Sequence, residues 1–385
     1  MTRFRDELQL IAAQAPEVDL AERAVRGARR WKAATFGSAL ASLVAAALTA
    51  TVLITTPGGA TMSGEIANVL PSSGVDPAAY AYYDFCGRQW DPRKNTKTFG
   101  KECAQWRLVT STGGSFRMPE ALSVYTEQTA DNYMNTGGPL EISSDGKRVA
   151  YYSEKDQRFA VRDLADGRIW LTPQTVTRET MVKSGMVLVL SPDGRFLGLL
   201  GGSSSVVDME TGQVTEIPEG WHVRRIGNGG SPIVVSDDKD RLGLFDGGKV
   251  TPLGKSADQL SELSADGRTL AYLDGEEIKD HLVTRPVDTI VTLDVTTGKI
   301  LSRAKFTDVP KDVRSPRIGG WQSPTEVVVS DMARDSYWRS KDRDKDSVPT
   351  LGEVTYAIDV NTGRIRKLAE YTYKAWAGDL TLPGF

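Results

Sequence analysis

This sequence predicts an all-β fold: a β-propeller of six blades preceded by a single transmembrane helix. Three observations carry the prediction. They are an uncharged apolar run at residues 33–56, a turn pattern repeated along the C-terminal two thirds, and a second turn pattern that answers each copy of the first.

Ala33 to Thr56 contains no charged residue. At about 1.5 Å per residue, a helix of that length covers roughly 36 Å, enough to cross a ~30 Å hydrocarbon core. Arg23, Arg26, Arg29, Arg30 and Lys32 precede the run, and no Lys or Arg follows it until Arg88. The positive-inside rule then puts the N-terminus in the cytoplasm and the C-terminal domain outside, in the cell membrane as a single-pass protein. A cleaved signal peptide is the competing reading. It expects a short charged tail and a shorter apolar core, although Gly58 and Ala60 would suit a peptidase. A soluble helix of this length would show a polar face, which this one lacks. Gly37, Ala41 and Ala45 form a small-xxx-small register that would let two copies pack closely, a spacing that an Ala-rich segment also produces by chance.

The chain therefore divides into a cytoplasmic tail (1–32), a transmembrane helix (33–56), a Gly, Ser and Pro-rich linker (57–77) and an extracytoplasmic propeller (78–385). In the tail, Phe4, Leu8 and Ile11 share one helical face before Pro16 interrupts it. Such a segment either docks a cytoplasmic partner or stabilises the topology as a membrane-proximal helix.

At 385 residues, with 25% charged and 40% apolar content, the chain has an ordinary globular composition. The tail carries net +2, which leaves −5 on the rest of a chain whose net charge is −3. A mildly acidic outer domain has no electrostatic footprint for nucleic acid. The expected partners are membrane lipid through residues 33–56 and a protein or envelope component. Cys86 and Cys103 both follow the span, and in an oxidising exterior they read as one disulfide, with roughly 3 kcal/mol of chain-entropy stabilisation. Without a nearby His they make no zinc site.

The repeat is the most informative feature. Ser143-Ser144-Asp145-Gly146-Lys147, Ser191-Pro192-Asp193-Gly194-Arg195 and Ser264-Ala265-Asp266-Gly267-Arg268 share the pattern S-x-D-G-[KR] before an apolar run. Decayed copies stand at Gly227-Asn228-Gly229-Gly230 and Trp321-Gln322-Ser323-Pro324. Each copy is followed by a second turn, starting at Asp163, Asp208, Asp246, Asp294 or Asp359 and ending on glycine. Glycine supplies the positive φ that tight hairpins demand, and the Asp carboxylate accepts backbone hydrogen bonds inside the turn. Each unit is thus two hairpins, or four strands, and radial repetition of four-stranded units describes a propeller. Five units run from Pro139 to about Leu368, and a hairpin around Leu108–Thr110 and Ser115–Arg117 supplies the sixth. Seven blades is the alternative, because Ser123–Met134 is unassigned. Closure joins an early strand to a late one, with Trp376 and Leu380–Leu382 as the candidates.

S-P-D-G-R with an apolar run, then D-x-x-T-G, resembles the WD40-like repeats of TolB-like β-propellers, over about residues 138–370. The resemblance implies a binding and assembly platform, here in a membrane-anchored bacterial member. The Trp90-Asp91 pair lies outside the repeats and carries no weight.

Two insertions interrupt the repeat, at Gly275–Thr289 and Asp331–Gly352. The second places Asp342, Asp344 and Asp346 before Glu353 at the spacing of calcium-loop oxygen ligands. Ser347 stands where a glycine normally makes the sharp turn, and Arg343 and Lys345 are interleaved, which fits a solvated charged loop equally well. No other cofactor is indicated. His222 and His281 accompany no nucleophile motif, and Gly201-Gly202-Ser203 is not a nucleophile elbow. Trp170, Trp221 and Trp338 would line either a binding surface or the packing between blades. The expected function is a membrane-anchored extracytoplasmic binding module. The alternatives are a propeller hydrolase acting on envelope polysaccharide through two converging acids, or a transmembrane sensor with a partner-binding tail.

Overall fold

The structure is a computed structural model that describes residues 68–84, 88–91, 96–99, 105–122, 124–128, 133–257, 259–274, 277–279, 282–285, 287–310, 313, 316–332, 350–374 and 380–385. The chain splits into the units Met1–Ile54 and Thr55–Phe385, of which the second contains every described residue. The tail and the apolar run 33–56 lie outside the described residues. Among the described residues no helix is long and apolar enough to cross a membrane.

The second unit is a six-bladed β-propeller, with six radial sheets. From the innermost strand outward, blade 2 consists of Leu140–Ile142, Arg148–Ser153, Arg158–Asp163 and Ile169–Leu171. Blade 3 consists of Val187–Leu190, Phe196–Leu200, Ser205–Asp208 and Val214–Glu216. Blade 4 follows with His222–Ile226, Ile233–Ser236, Arg241–Asp246 and Lys249–Ser256. Blade 5 uses Leu260–Leu263, Thr269–Asp274, Thr289–Asp294 and Lys299–Lys305. Blade 6 uses Arg317–Ser323, Glu326–Met332, Thr350–Asp359 and Ile365–Lys374.

Blade 1 closes the ring. Its Ala78–Asp84, Gln105–Thr110 and Ser115–Met118 come from the start of the propeller, and its innermost strand Leu380–Thr381 comes from the end. Ala81 pairs with Thr381 and Tyr82 with Leu380, so the expected closure through Leu380–Leu382 is what forms. Asn68–Val69 adds a parallel outer strand on Ser115–Met118. Leu70 and Val75 are buried beside it. Residues 68–77, assigned to the linker on composition, therefore belong to the propeller. The unassigned segment on which the seven-blade alternative rested contributes to a two-stranded hairpin, Val124–Gln128 with Tyr133–Gly137.

The apolar runs follow from radial packing. A blade is covered on both faces, so alternate residues of one strand serve two different cores. Val149 and Tyr151 join the cluster between blades 1 and 2, while Ala150 and Tyr152 join the one between blades 2 and 3. Four further clusters fill the remaining interfaces, one for each pair of neighbouring blades around the ring.

The three S-x-D-G turns share one construction, and so do the second turns at Asp163, Asp208, Asp294 and Asp359, while Asp246 opens a two-residue hairpin onto Lys249. The Ser143 hydroxyl donates to Asp145 at 2.8 Å and accepts the Arg148 N–H at 2.9 Å, and Gly146 takes φ +72°. Ser191, Asp193 and Gly194 reproduce this with distances of 2.6 and 2.9 Å and φ +69°. Ser264, Asp266 and Gly267 do the same. These turns join the innermost strand to the second. The second pattern joins the third strand to the outermost, with the Asp carboxylate accepting N–H groups two and three residues on, as Asp359 does from Asn361 and Thr362 at 3.0 and 2.8 Å. The two patterns also meet. Arg195 forks onto Asp208 at 3.0 and 2.7 Å, and Arg268 reaches Asp294 at 2.8 Å. In blades 3 and 5 the basic residue after Asp-Gly is thus the partner of the acid that opens the next turn, whereas in blade 2 Lys147 pairs with Asp145 and Arg148 takes Asp163.

Candidate functional site

Antiparallel order gives the propeller two unlike faces. Connections from innermost to second and from third to outermost strand leave at one end, the turn face, where none exceeds six residues. Connections from second to third strand, and from one blade to the next, leave at the opposite end, the loop face. The inserted hairpins, the helix and the long insertions attach there, whereas residues 72–77 and 382–385 pack on the turn face. The hairpins Arg88–Asp91 with Thr96–Phe99 and Glu277–Lys279 with Leu282–Arg285 arise from blades 1 and 5. The Val124–Gln128 hairpin and a short helix α1 (Arg178–Lys183) arise between blades. The 333–349 insertion leaves blade 6 at the same end. Blades 5, 6 and 1, which are adjacent, carry the three insertions between their second and third strands.

The innermost strands line the channel. Aligned on the repeated turn, Glu141, Val189, Arg225 and Glu262 fall at one position, two residues before Ser143, Ser191, Gly227 and Ser264. Equivalent positions lie at one height along the axis, and three of these four carry charge. Ser144 donates a hydrogen bond to Glu262, from blade 2 to blade 5, which stand opposite each other in a ring of six. That bond crosses the axis near the turn face. Gly384 packs there too: its N–H donates to Ile142 at 3.1 Å, and a side chain on it would meet the Glu262 carboxylate at 3.0 Å. Phe385 packs against Gly319 of blade 6.

The charged groups of this ring differ in how they are satisfied. Arg225 spends its guanidinium on backbone carbonyls, those of Arg224 at 2.8 Å, Ser261 at 3.0 Å and Leu260. Burial lowers its basicity, opposed by Glu262 and Glu141. Glu262 accepts from Ser144, and burial raises its pKa. No hydrogen bond among the described residues reaches the Glu141 carboxyl. Glu141 keeps part of its surface, yet protein crowds it from all sides, so it titrates as a desolvated acid. Its pKa is pushed up to about 8 by burial first and Glu262 further, against the lowering influence of Arg225 and Arg317. Arg317, at the loop-face end of the blade 6 inner strand, donates to buried Glu353 at 2.5 Å.

The residues singled out from the sequence distribute between the faces. Asp145, Gly146, Asp193, Gly194, Asp266 and Gly267 are all on the turn face, where they hold blades together. Cys86, Cys103, Asp342, Asp344, Asp346, His281 and Trp338 lie outside the described residues. Glu353 is described and stands in the third strand of blade 6, with one carboxylate oxygen on Arg317 and the other buried with no hydrogen-bond partner. Trp170 packs between blades 2 and 3 with the Arg148 and Arg168 guanidinium groups 4.8 and 5.2 Å from its ring, and Trp221 packs between blades 3 and 4. His222 stands between Ser204 at 3.3 Å and Asp238 at 3.1 Å. Ser204 is buried, so its hydroxyl is not presented to a substrate. The inner ring went unnoticed in the sequence because each acid sits singly in an apolar strand; aligning the repeats on their turns would have exposed it.

No family model matches the chain, and no curated protein sequence matches it. Solved structures are similar to it at the level of fold. TolB from Acinetobacter baumannii shares 16% identity over 79% of this chain, with a TM-score of 0.40; this chain covers 65% of TolB, just under two thirds. Hydrazine synthase from Kuenenia stuttgartiensis shares 15% identity, covering 63% of this chain and 69% of that one, with a TM-score of 0.38. A chain of the nidogen/laminin complex shares 11% identity over 76% of this chain and 92% of its own length, with a TM-score of 0.37.

Proposed function

We propose that this chain is a membrane-anchored, extracytoplasmic binding module that engages its partner with the loop face of the propeller and the channel mouth at its centre. The observation that carries this reading is the one-sidedness of the ring. Short turns, with residues 72–77 and 382–385 packed over them, close one face, and the inserted hairpins, the helix and the long insertions attach to the other, around inner strands that carry charged side chains. Rigid blades that hold variable connections at one end are a common way for a scaffold to present a binding surface. The apolar run 33–56 and its basic N-terminal flank support anchoring with the propeller outside.

Site-specific photo-crosslinking in intact cells tests it. A crosslinking side chain at Lys155 or Asp238, exposed on the loop face, should give discrete adducts. The same group at Thr211 or Asn361, exposed on the turn face, should not. Equal adducts from the two faces, or adducts from the turn face alone, would overturn the assignment. Protease added outside the cells should digest the propeller, and protection until lysis would refute the location.

A further inference from the structure

We propose that the channel is a receptor for a cationic group, a primary ammonium or a guanidinium, which enters from the loop face and lodges against the Glu141 carboxyl. The inference rests on the loop-face reading and names the chemistry of what that face admits.

Of the charged side chains at the channel floor, Arg225 is committed to three backbone carbonyls and Glu262 to Ser144 across the axis. Glu141 alone among them receives no hydrogen bond, so the unused capacity of the floor is an acceptor. Charge leads to the same place. The floor holds two acids and one base, while Arg317, higher on the wall, is already bonded to Glu353. One positive charge would complete the set, and two acids sharing a poorly solvated site hold a proton in its stead. The raised pKa of Glu141 is that proton's signature. The bond between Ser144 and Glu262 and the packing of Gly384 obstruct the turn-face end, so a ligand reaches Glu141 from the other side.

The exchange balances simply: the ligand cation arrives, and the Glu141 proton leaves to solvent. The groups facing Glu141 from the other blades are Arg225 on blade 4, Glu262 on blade 5 and Arg317 on blade 6. With the Glu141 pKa near 8, cation affinity should weaken about tenfold for each pH unit below that value and level off above it.

Calorimetric titration of the full-length protein with spermidine tests this, run at pH 7 in two buffers of different ionisation enthalpy. After correction for the protons that the spermidine amines, partly neutral at pH 9.5, take up to bind as cations, the wild-type protein should release close to one proton at pH 7 and none at pH 9.5. Glu141→Gln should bind at least tenfold more weakly at pH 9.5 and release no proton, whereas Glu141→Asp should keep the release. Thermal unfolding of each variant confirms that it is folded. Unchanged affinity in Glu141→Gln, binding without proton release at pH 7, or no binding of spermidine at pH 9.5 would overturn the proposal. Loop-face crosslinks persisting after such a failure would remove the cation and leave the binding face standing. Acetate binding in place of spermidine would mark the channel as an anion site.

Discussion

Replacing Asp208 with Asn removes a charge while keeping shape, and its cost can be worked from the blade 3 turn. Asp208 accepts both arms of the Arg195 fork and the Glu210 N–H at 3.0 Å. Arg195 first, and the Glu210 N–H after it, pull the carboxyl down to about 2. Measured from an ordinary 3.8, that depression corresponds to about 2.5 kcal/mol at neutral pH. The side chain keeps 11% of its surface, but only the turn and Arg195 cover it, so screening by water leaves about 2 kcal/mol. Asn retains the Glu210 contact, so the loss is chiefly electrostatic. A depressed carboxylate stabilises the fold above its unfolded pKa and stops doing so as pH falls through the folded value. Asp208→Asn should therefore cost about 2 kcal/mol at pH 7 and about half of that at pH 3. Urea unfolding followed by tryptophan fluorescence gives both numbers. Arg195→Met should cost a similar amount, and the double variant should cost little more than either single one. An equal loss at pH 3 and pH 7, or none at pH 7, would refute the pairing of the two turn motifs.

Gly167→Ala should be far worse than Gly212→Ala, although both occupy the same turn position with φ of +77° and +76°. A Cβ at Gly167 would lie 1.7 Å from the Ser72 carbonyl oxygen, whereas at Gly212 nothing comes nearer than 3.6 Å. The left-handed conformation alone costs about 1–2 kcal/mol, and melting temperatures should show the extra penalty only at Gly167. Arg162→Met strips a buried cation that bonds Glu120 and the Pro71 carbonyl, so chemical denaturation should report a loss of about 3 kcal/mol. Glu141→Gln should stabilise the fold, and the gain should grow from pH 5 to pH 8. The wild-type carboxyl stays protonated in the folded state until about 8 but ionises earlier when unfolded, so native stability falls as pH rises through that window. A gain independent of pH would mean that Glu141 is solvated.

The turns were legible because their chemistry is local. The Ser143 and Asp145 side chains complete their hydrogen bonds within six residues, and the same letters recur wherever the same turn does. Leu380–Leu382 could be named as the closing segment because a ring needs a late strand to meet an early one. The inner ring was not legible by local reading. Glu141 and Glu262 are 121 positions apart and meet only because the blades return to one axis. The linker boundary failed for a different reason. Gly, Ser and Pro dominate residues 57–77, and nothing local marks Leu70 and Val75 as buried against blades 1 and 2. Arg195 was visible as part of a pattern, but its partner Asp208 lies across a strand.

The account depends most on the ring being closed, because the channel and its two faces exist only if Leu380–Thr381 completes blade 1. Cysteines placed at Ala81 and Thr381, paired across the closing strands, measure this directly when non-reduced peptides are mapped by mass spectrometry after mild oxidation. The account predicts a linked 81–381 peptide in the native protein that is lost when oxidation is carried out in urea. A folded protein that never forms the link, or one that forms it equally in urea, would contradict it.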